Sequence, residues 1–593
     1  MSDASGPGAI ERPALGNEAG DYWGSDAMAL MLREIGLPYV ALNPGASYRG
    51  LHDSLVNLLG NTQPQMLLCL HEEHAVAMAH GYAKVAGRPM GAIVHSNVGL
   101  MHATMAMFNA WCDRVPVVVL GATGPVDAAQ RRPWIDWIHT AQDQGALVRN
   151  YTKWDDQPAS VAAAAESILR AHRMATTPPC GPVYVCLDAG LQESRIGALP
   201  PLPTAERFRP PRAVAVDPAD AATAAAILQA AERPLILAGR VGRDAAAWEQ
   251  RVALAEALGA VVLTDPKTGS TFPSRHNLSG PPSGNNPSAD ACTLVREADA
   301  ILSLDWVDLA GAFKAAGGPP TAKVVVASLD HQIHNGWSMD YQGLPPADLH
   351  LAVQPEHAVG AILPLLKPRA PGWQGYVIKK PPLPVLGNDA TLSPADVAGA
   401  LREVLGGRKA TLIRTPLAWA SGYWEATEPL DLLGGDGGGG IGGGPGMAVG
   451  AALALRGSGR LPIAVLGDGD CLMGITALWT AVHYHIPVLI VVSNNNSFFN
   501  DELHQDRMAR QRSRPVANRW IGQRIADPEP DIAMLARAQG AAGWGPIRTP
   551  AELPRALRAA IEHVDGGGVA LVDVRVEPGY APDTPASISR GGG

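Results

Sequence analysis

Short apolar runs alternate with helical patterns along most of the chain. In the first part, five apolar runs predict strands: 39–42, 66–70, 90–95, 115–121 and 183–187. Small-residue stretches at 75–85 and 104–110 predict helices between them. Short strands that alternate with helices are typical of a parallel sheet covered on both faces, so the pattern predicts an α/β domain at 20–190.

The same alternation returns twice more, and Pro-rich linkers at 191–212 and 367–393 separate the repeats. The second block has four strand-like apolar runs, each preceded by an Ala-rich helical segment: 235–238, 260–264, 300–304 and 323–328. We therefore predict three α/β domains with mainly parallel sheets, at 20–190, 210–366 and 392–577. The segments outside them have no such pattern and are expected to form a loose arm and tail.

Composition narrows the class of protein. A chain of 593 residues is too long for one core, and a net charge of −9 argues against a nucleic-acid or membrane-surface partner. No apolar stretch reaches the length that spans a bilayer, and the first 20 residues lack the pattern of a signal peptide. The six cysteines have no zinc or CxxC spacing, which favours a reducing, cytoplasmic compartment.

Two polar turns in the third block carry candidate chemistry. Gly467-Asp468-Gly469-Asp470 follows the apolar run 461–466, and Asn494-Asn495 follows the run 486–492, with a predicted helix at 475–484 between them. In a parallel crossover both turns reach the same edge of the sheet. A carboxylate and an amide oxygen would converge there, which suits Mg²⁺. The alternative is a plain crossover with Asp and Asn at its turns.

This GDG–NN spacing resembles the cofactor signature of thiamine diphosphate enzymes. The resemblance implies that Asp468, the Asn495 side chain and the Ser497 carbonyl hold Mg²⁺ against the diphosphate of thiamine diphosphate. It also assigns Gly467, Gly469 and Asp470 to the cofactor-binding turn.

A second motif near the N-terminus resembles the segment that carries the catalytic glutamate of these enzymes. His71-Glu72-Glu73-His74 follows a predicted strand and opens the helix that contains Gly81-Tyr82-Ala83. By position Glu72, not Glu73, is the match, and the resemblance implies that its carboxyl activates the cofactor pyrimidine. The alternative is that both acids only complement the helix dipole.

Further motifs resemble the benzoylformate decarboxylase branch. His95-Ser96 at a strand end and Asn109-Ala110-Trp111 on the next helix match it, and His95 takes the place of the active-site histidine. The alternative is a strand-end histidine bonded to nearby backbone. The branch has N-P-G-S where this chain has Asn43-Pro44-Gly45-Ala46. Asn43 and Gly45 are therefore assigned to cofactor binding, and Ala46 predicts a different substrate pocket.

The glycine run 434–446 has two interpretations. Its composition is that of a flexible linker. The resemblance instead implies a loop under the cofactor, with Gly440, Ile441 and Gly442 at the pyrimidine and Ile441 as the apolar wedge. Thr415 is the one hydroxyl where the family contacts the diphosphate, and Asn500 falls where the family lines the substrate pocket.

The resemblance implies decarboxylation of a 2-oxo acid with thiamine diphosphate and Mg²⁺, with or without carboligation of the resulting enamine to an aldehyde or ketone. It also implies a dimer or tetramer. Three alternatives stay open: an acetolactate synthase-like carboligase, a silent structural or regulatory paralogue, and a lyase acting on an acyl-CoA. A flavin in the middle domain is also open, since 239–242 is a weak nucleotide signal.

Overall fold

Three parallel sheets form the framework of the protein. The computed structural model describes residues 11, 13–14, 21–265, 267–282, 287–333, 343–369, 372–378, 380–435 and 437–579. Most of the predicted N-terminal arm and of the C-terminal tail lies outside these residues. The three sheets follow one another along the chain, and the strands within each sheet are parallel.

The first unit contains a six-stranded sheet in the order β3-β2-β4-β5-β7-β6 and a small antiparallel β1–β8 pair. The strands are β1 (Tyr22–Trp23), β2 (Tyr39–Leu42), β3 (Gln65–Leu68), β4 (Gly91–Ile93), β5 (Val117–Thr123), β6 (Trp154–Asp156), β7 (Pro182–Asp188) and β8 (Arg195–Gly197). The helices are α1 (Gly24–Glu34), α2 (Arg49–Asp53), α3 (Glu72–Ala86), α4 (Ser96–Cys112), α5 (Val161–Thr176) and α6 (Ala189–Gln192).

The second unit contains a five-stranded sheet in the order β10-β9-β11-β12-β13. Its strands are β9 (Pro234–Ala238), β10 (Val261–Thr264), β11 (Ala300–Leu304), β12 (Lys323–Ala327) and β13 (Leu349–Leu351). Its helices are α7 (Pro218–Ala230), α8 (Ala245–Leu258), α9 (Ala289–Glu297), α10 (Leu309–Ala315) and α11 (Pro355–Ile362).

The third unit contains a five-stranded sheet in the order β14-β15-β16-β18-β17. Its strands are β14 (Ala410–Leu412), β15 (Leu461–Gly467), β16 (Val488–Asn494), β17 (Ala542–Ile547) and β18 (Val569–Arg575). Its helices are α12 (Pro394–Leu405), α13 (Gly444–Ala454), α14 (Asp468–Gly474), α15 (Ala477–His483), α16 (Phe499–Gln511), α17 (Ile532–Ala538) and α18 (Leu553–Asp565).

The predicted fold class, three α/β units with mainly parallel sheets, is confirmed. The helix predicted at 475–484 differs in detail, because the crossover contains two short helices, α14 and α15, and the first starts at Asp468. α3 also starts three residues earlier than the apolar pattern predicted. His71 caps it, and its ring accepts from the backbone nitrogen of Glu73.

The first and third units share one hydrophobic core, and α3 and α13 cross at its centre. The crossing is close because both helices carry glycine at the contact. A Cβ built at Gly81 would lie 2.1 Å from the carbonyl oxygen of Met447, and one at Gly450 would lie 1.9 Å from that of Met78. This close approach fixes the motif around Glu72 relative to the glycine run that precedes α13.

Candidate active site

Two side-chain oxygens converge at the carboxyl edge of the third sheet. β15 and β16 pair in parallel and end at this edge. The Oδ2 of Asp468 and the Oδ1 of Asn495 both accept from the backbone N–H of Ser497, each over 3.0 Å. The structure therefore brings together the three residues that the sequence assigns to the cation.

The electrostatics of this corner suit a divalent cation. Asp468 is only 4% exposed, and burial raises the pKa of its carboxyl to about 6, although the N–H groups of Gly469 and Ser497 act in the opposite direction. Mg²⁺ takes oxygen ligands, and its charge would favour the ionised carboxylate. The donor set therefore fits a magnesium ion.

The structure distinguishes the two neighbouring asparagines. Asn494 donates from Nδ2 to Asp573 and accepts at Oδ1 from Arg575, both over 2.8 Å. Its side chain therefore ties β16 to β18. Asn495 is the asparagine whose amide oxygen is directed at the corner that contains Asp468.

Asp470 fixes the glycine run in place. Its Oδ1 accepts from the backbone nitrogens of Gly442, over 2.7 Å, and Gly444, over 3.2 Å. Its Oδ2 accepts from Nε of Arg414 over 2.8 Å, in a pair whose two side chains are both buried. The role that this geometry gives Asp470 is to hold the loop under the cavity.

A cavity of about 810 Å³ opens beside this corner. That size is within the range typical of small-molecule and cofactor sites. Its lining includes nine of the predicted residues: Thr415, Ile441, Gly467, Asp468, Gly469, Asp470, Asn495, Ser497 and Asn500. Basic side chains of the second and third units, Lys267 and Arg414, also line it.

The glycine run passes along this cavity as an anchored segment. Ile441 lines the cavity and is 39% exposed. It lies between Gly440, whose carbonyl accepts from Arg414, and Gly442, whose N–H donates to Asp470. Gly442 has φ +105°, a conformation that a side chain would strain. The contacts of Asp470 and the exposed Ile441 favour the cofactor-loop interpretation over a flexible linker.

The N-terminal candidate residues form a second cluster. Glu72 is the first residue of α3 and is 5% exposed. Its Oε2 lies 2.9 Å from Nδ1 of His102 on α4. Gly99, one turn earlier on α4, leaves room for the carboxylate, because a Cβ there would lie 2.9 Å from Oε1 of Glu72.

His95 precedes α4 in the same cluster. Its Nδ1 lies 2.8 Å from the hydroxyl of buried Ser47, and its ring packs edge-on against His139 with 4.6 Å between centroids. Gly45 is required beside it, because a Cβ there would lie 2.3 Å from the ring. Burial and then the charge of His139 lower the pKa of His95, which favours the neutral ring. Ala46 is exposed next to this pair.

Asn43 has a positioning role in the structure. Its side chain donates to the carbonyl of Cys69 over 2.9 Å, and its own carbonyl accepts from the hydroxyl of Tyr48. These bonds hold the turn after β2 against the end of β3, beside the start of α3.

The catalytic candidates of the first unit lie outside the lining of the cavity. The described cavity lining includes neither Glu72 nor His95. Glu73 is the acid that approaches the glycine run, since a Cβ at Gly442 or Gly443 would lie 3.8 Å from its Oε1. The candidate residues therefore fall into two clusters, one around Asp468 and one around Glu72.

Sequence reasoning missed several residues of these clusters. No sequence motif includes His102, because its position two turns into α4 offers no local signal of contact with Glu72. Arg414 directly precedes Thr415, and the resemblance assigns a role only to the Thr415 hydroxyl. The available signal was a charged residue, Arg414, directly after the apolar stretch 410–413, in a chain that also has the acidic turn 467–470.

Three family models match the chain in order. The N-terminal thiamine pyrophosphate binding domain matches residues 22–148, the central domain 221–332, and the C-terminal thiamine pyrophosphate binding domain 415–574. The chain belongs to the thiamine pyrophosphate enzyme family. Thiamine pyrophosphate is thiamine diphosphate, so the cofactor expected from the two turns is confirmed.

Known members of this family are similar to the chain over most of its length. Benzoylformate decarboxylase of Pseudomonas aeruginosa is 26% identical over 79% of this chain and 85% of that protein. Acetolactate synthase of Bacillus subtilis is 24% identical over 93% of each chain. The crystal structure of benzoylformate decarboxylase from Polynucleobacter necessarius superimposes with a TM-score of 0.77 at 21% identity, over 94% of this chain and 99% of that one, which shows the shared fold.

The protein is thus a thiamine diphosphate-dependent enzyme of the decarboxylase and acetolactate synthase-like family. Within the described residues, every helix is too short or too polar to traverse a bilayer.

Proposed function

We propose that this protein decarboxylates a 2-oxo acid with thiamine diphosphate and Mg²⁺ and releases an aldehyde or joins the remaining fragment to a second carbonyl compound. The observation that carries the proposal is the convergence of Asp468 and Asn495 on one backbone nitrogen at the edge of the cavity. When bound, thiamine diphosphate supplies the carbanion that adds to the ketone carbon and accepts the electron pair left by CO₂.

Residues of the third unit bind and orient the cofactor in this proposal. Asp468, Asn495 and the carbonyl of Ser497 would hold the cation. Thr415 and the Gly467–Asp470 turn line the same cavity and would contact the diphosphate. Gly440, Ile441 and Gly442 support the pyrimidine, with the exposed Ile441 as an apolar wedge. Asn500 lines the same cavity and would contact the substrate.

Residues of the first unit manage protons. The Glu72 carboxyl holds a proton at the pyrimidine ring nitrogen, for which a buried carboxyl is suited. His95 moves a proton at the substrate carbonyl, and Ser47 fixes its ring by a hydrogen bond over 2.8 Å. Asn43 and Gly45 shape the backbone beside them, and Ala46 lines the substrate pocket.

The working enzyme in this proposal is a homodimer or homotetramer. The cavity around Asp468 is lined by neither Glu72 nor His95, so in this proposal a second copy supplies the Glu72 cluster to it. The domain bounds 20–190, 210–366 and 392–577 remain predictions, and so does the cytoplasmic location.

The contacts of the turn at 239–242 favour the interpretation that no flavin binds at this turn. Arg240 lies 3.7 Å from the carboxylate of Asp305 and 3.4 Å from that of Asp330. The backbone nitrogen of Gly242 donates to Glu356. These contacts engage the turn inside the second unit, as in an ordinary strand-to-helix connection.

The test is CO₂ release from a panel of aliphatic and aromatic 2-oxo acids, with thiamine diphosphate and Mg²⁺, with and without an added aldehyde. CO₂ without an acceptor supports the decarboxylase, and CO₂ only with an acceptor assigns the protein to the carboligases. Bound cofactor with no CO₂ under either condition would contradict the proposal and favour a silent paralogue or an acyl-CoA lyase.

A further inference from the structure

We propose that His102 is a proton-relay residue that acts through Glu72. Its imidazole connects the buried carboxyl of Glu72 with solvent and returns the proton that each turnover consumes. The inference rests on the proposed function, because it concerns the proton supply of that reaction.

The stoichiometry of decarboxylation demands a proton supply. The balanced reaction is RCOCOO⁻ + H⁺ → RCHO + CO₂, so one proton enters per turnover. Joining two 2-oxo acids with loss of one CO₂ also consumes one proton. Glu72 is 5% exposed, so its carboxyl needs a path along which protons arrive from water.

His102 has the position of such a path. The distance between its Nδ1 and Oε2 of Glu72 is 2.9 Å, a hydrogen-bond distance. The side chain of His102 is 50% exposed, against 7% for that of Glu72. In the single chain, the exposed ring of His102 forms one end of the pair and the buried acid forms the other.

The surface of α4 is shaped to receive the carboxylate. Gly99 leaves space for the Glu72 side chain to lie on the helix, and His102 follows one turn later to bond it. Residues three apart on a helix share a face, so the space and the bond belong to one surface.

The other groups that face Glu72 are less suited to carry protons. His71 stacks on His102 with 4.9 Å between centroids, but its Nδ1 accepts from the Glu73 backbone, and its pKa is lowered first by burial. The pKa of Tyr48 is raised by burial and then by the charge of Glu72, so its hydroxyl keeps its proton. His95 is turned to Ser47.

The relay delivers one proton in each cycle. His102 takes a proton from a hydronium ion in solvent and becomes an imidazolium ion. The Nδ1–H bond then breaks as an O–H bond forms on the Glu72 carboxylate, which leaves the ring neutral before the next cycle. An imidazole suits this task because it exchanges protons near neutral pH.

The test compares His102→Asn with His102→Ala. Asparagine can still donate to Glu72 but cannot carry a proton, so we expect kcat to fall by about 10- to 100-fold with little change in KM. Added imidazole should restore much of the loss in His102→Ala, and the affinity for thiamine diphosphate should stay near that of the wild type. His357→Asn, at an exposed histidine of α11, is the matched control and should be unaffected.

Two outcomes would overturn the relay. One is a kcat of His102→Asn within twofold of the wild type. The other is an equal loss in both variants that imidazole does not relieve, since that result would show a purely structural role.

A measurement without cofactor separates this inference from the proposed function. In ¹⁵N-histidine-labelled apo protein, the Nδ1 signal of His102, assigned with His102→Asn, should shift on Glu72→Gln. An unchanged signal would refute the contact, whatever the activity. If the signal shifts on Glu72→Gln but the wild-type protein releases no CO₂, the contact between His102 and Glu72 is supported. The proposed function and the relay that depends on it are then both refuted.

Discussion

The close crossing of α3 and α13 predicts that adding one methyl group to either helix at the contact strongly lowers the free energy of unfolding. Gly81→Ala would place a Cβ 2.1 Å from the carbonyl oxygen of Met447, and Gly450→Ala would place one 1.9 Å from that of Met78. Contacts of a Cβ below 3.0 Å essentially do not occur. Since both obstacles are backbone atoms of a buried helix, the helices would have to separate by about 1 Å.

The magnitude follows from overpacking. Extra methyl groups in a packed core cost about 1–3 kcal/mol, and a rigid backbone contact puts both variants at the upper end. For a unit of this size, about 3 kcal/mol lowers the unfolding midpoint by roughly 10 °C. Separation of the helices would also move the start of α3 from the glycine run, so turnover should fall as well.

Calorimetric unfolding of the apo protein measures the effect, with Gly360→Ala as the control. Gly360 lies in the exposed face of α11, and a Cβ there would come no closer than 3.9 Å to its neighbours. Alanine is the better helix former, so this control should gain up to about 1 kcal/mol. Equal midpoints for Gly81→Ala and Gly360→Ala would refute the close crossing.

Three further predictions concern single side chains. Asp470→Asn leaves buried Arg414 without its charge partner and should cost about 3–5 kcal/mol, read as a lower unfolding midpoint; an unchanged midpoint would contradict its bracing role. Burial raises the pKa of Asp468 to about 6, so protons compete with Mg²⁺ below that pH. Mg²⁺ affinity, measured by calorimetric titration, should weaken as pH falls through 6. An affinity that does not change between pH 5 and 7 would refute the assignment of Asp468 as a Mg²⁺ ligand. Glu72→Gln should keep the circular dichroism spectrum and bound cofactor but lose turnover; near-normal turnover would exclude Glu72 as the activating acid.

Among the strands, those that are buried on both faces of a sheet were predicted most accurately from the sequence. The apolar runs 39–42 and 300–304 coincide with β2 and β11, because strands inside a covered parallel sheet need an unbroken apolar run. The predicted runs do not include β1, β6, β8, β13, β14, β17 and β18, and β6, β13 and β17 show one physical reason. These three are edge strands, two of only three residues and one rich in glycine, and such segments pair through the backbone without a clear side-chain pattern.

The candidate site was predictable where it depends on local spacing. Asp468 and Asn495 could be placed together because one crossover connects their turns. The pairs Glu72–His102 and Asp470–Arg414 could not, since each depends on how separate elements pack. The packing of α3 on α4 decides which of two adjacent acids is buried, and no periodicity in the sequence encodes that choice.

The most direct test of the central account is complementation between two inactive variants. In the proposed enzyme, Glu72 and Asp468 of one active site come from different copies. Glu72→Gln and Asp468→Asn should each be inactive, but co-expressed they should form hybrids with one intact site. CO₂ release at about a quarter of the wild-type level is expected for random pairing in a dimer. No activity in the mixture, with hybrids shown to be present, would contradict a site shared between two chains.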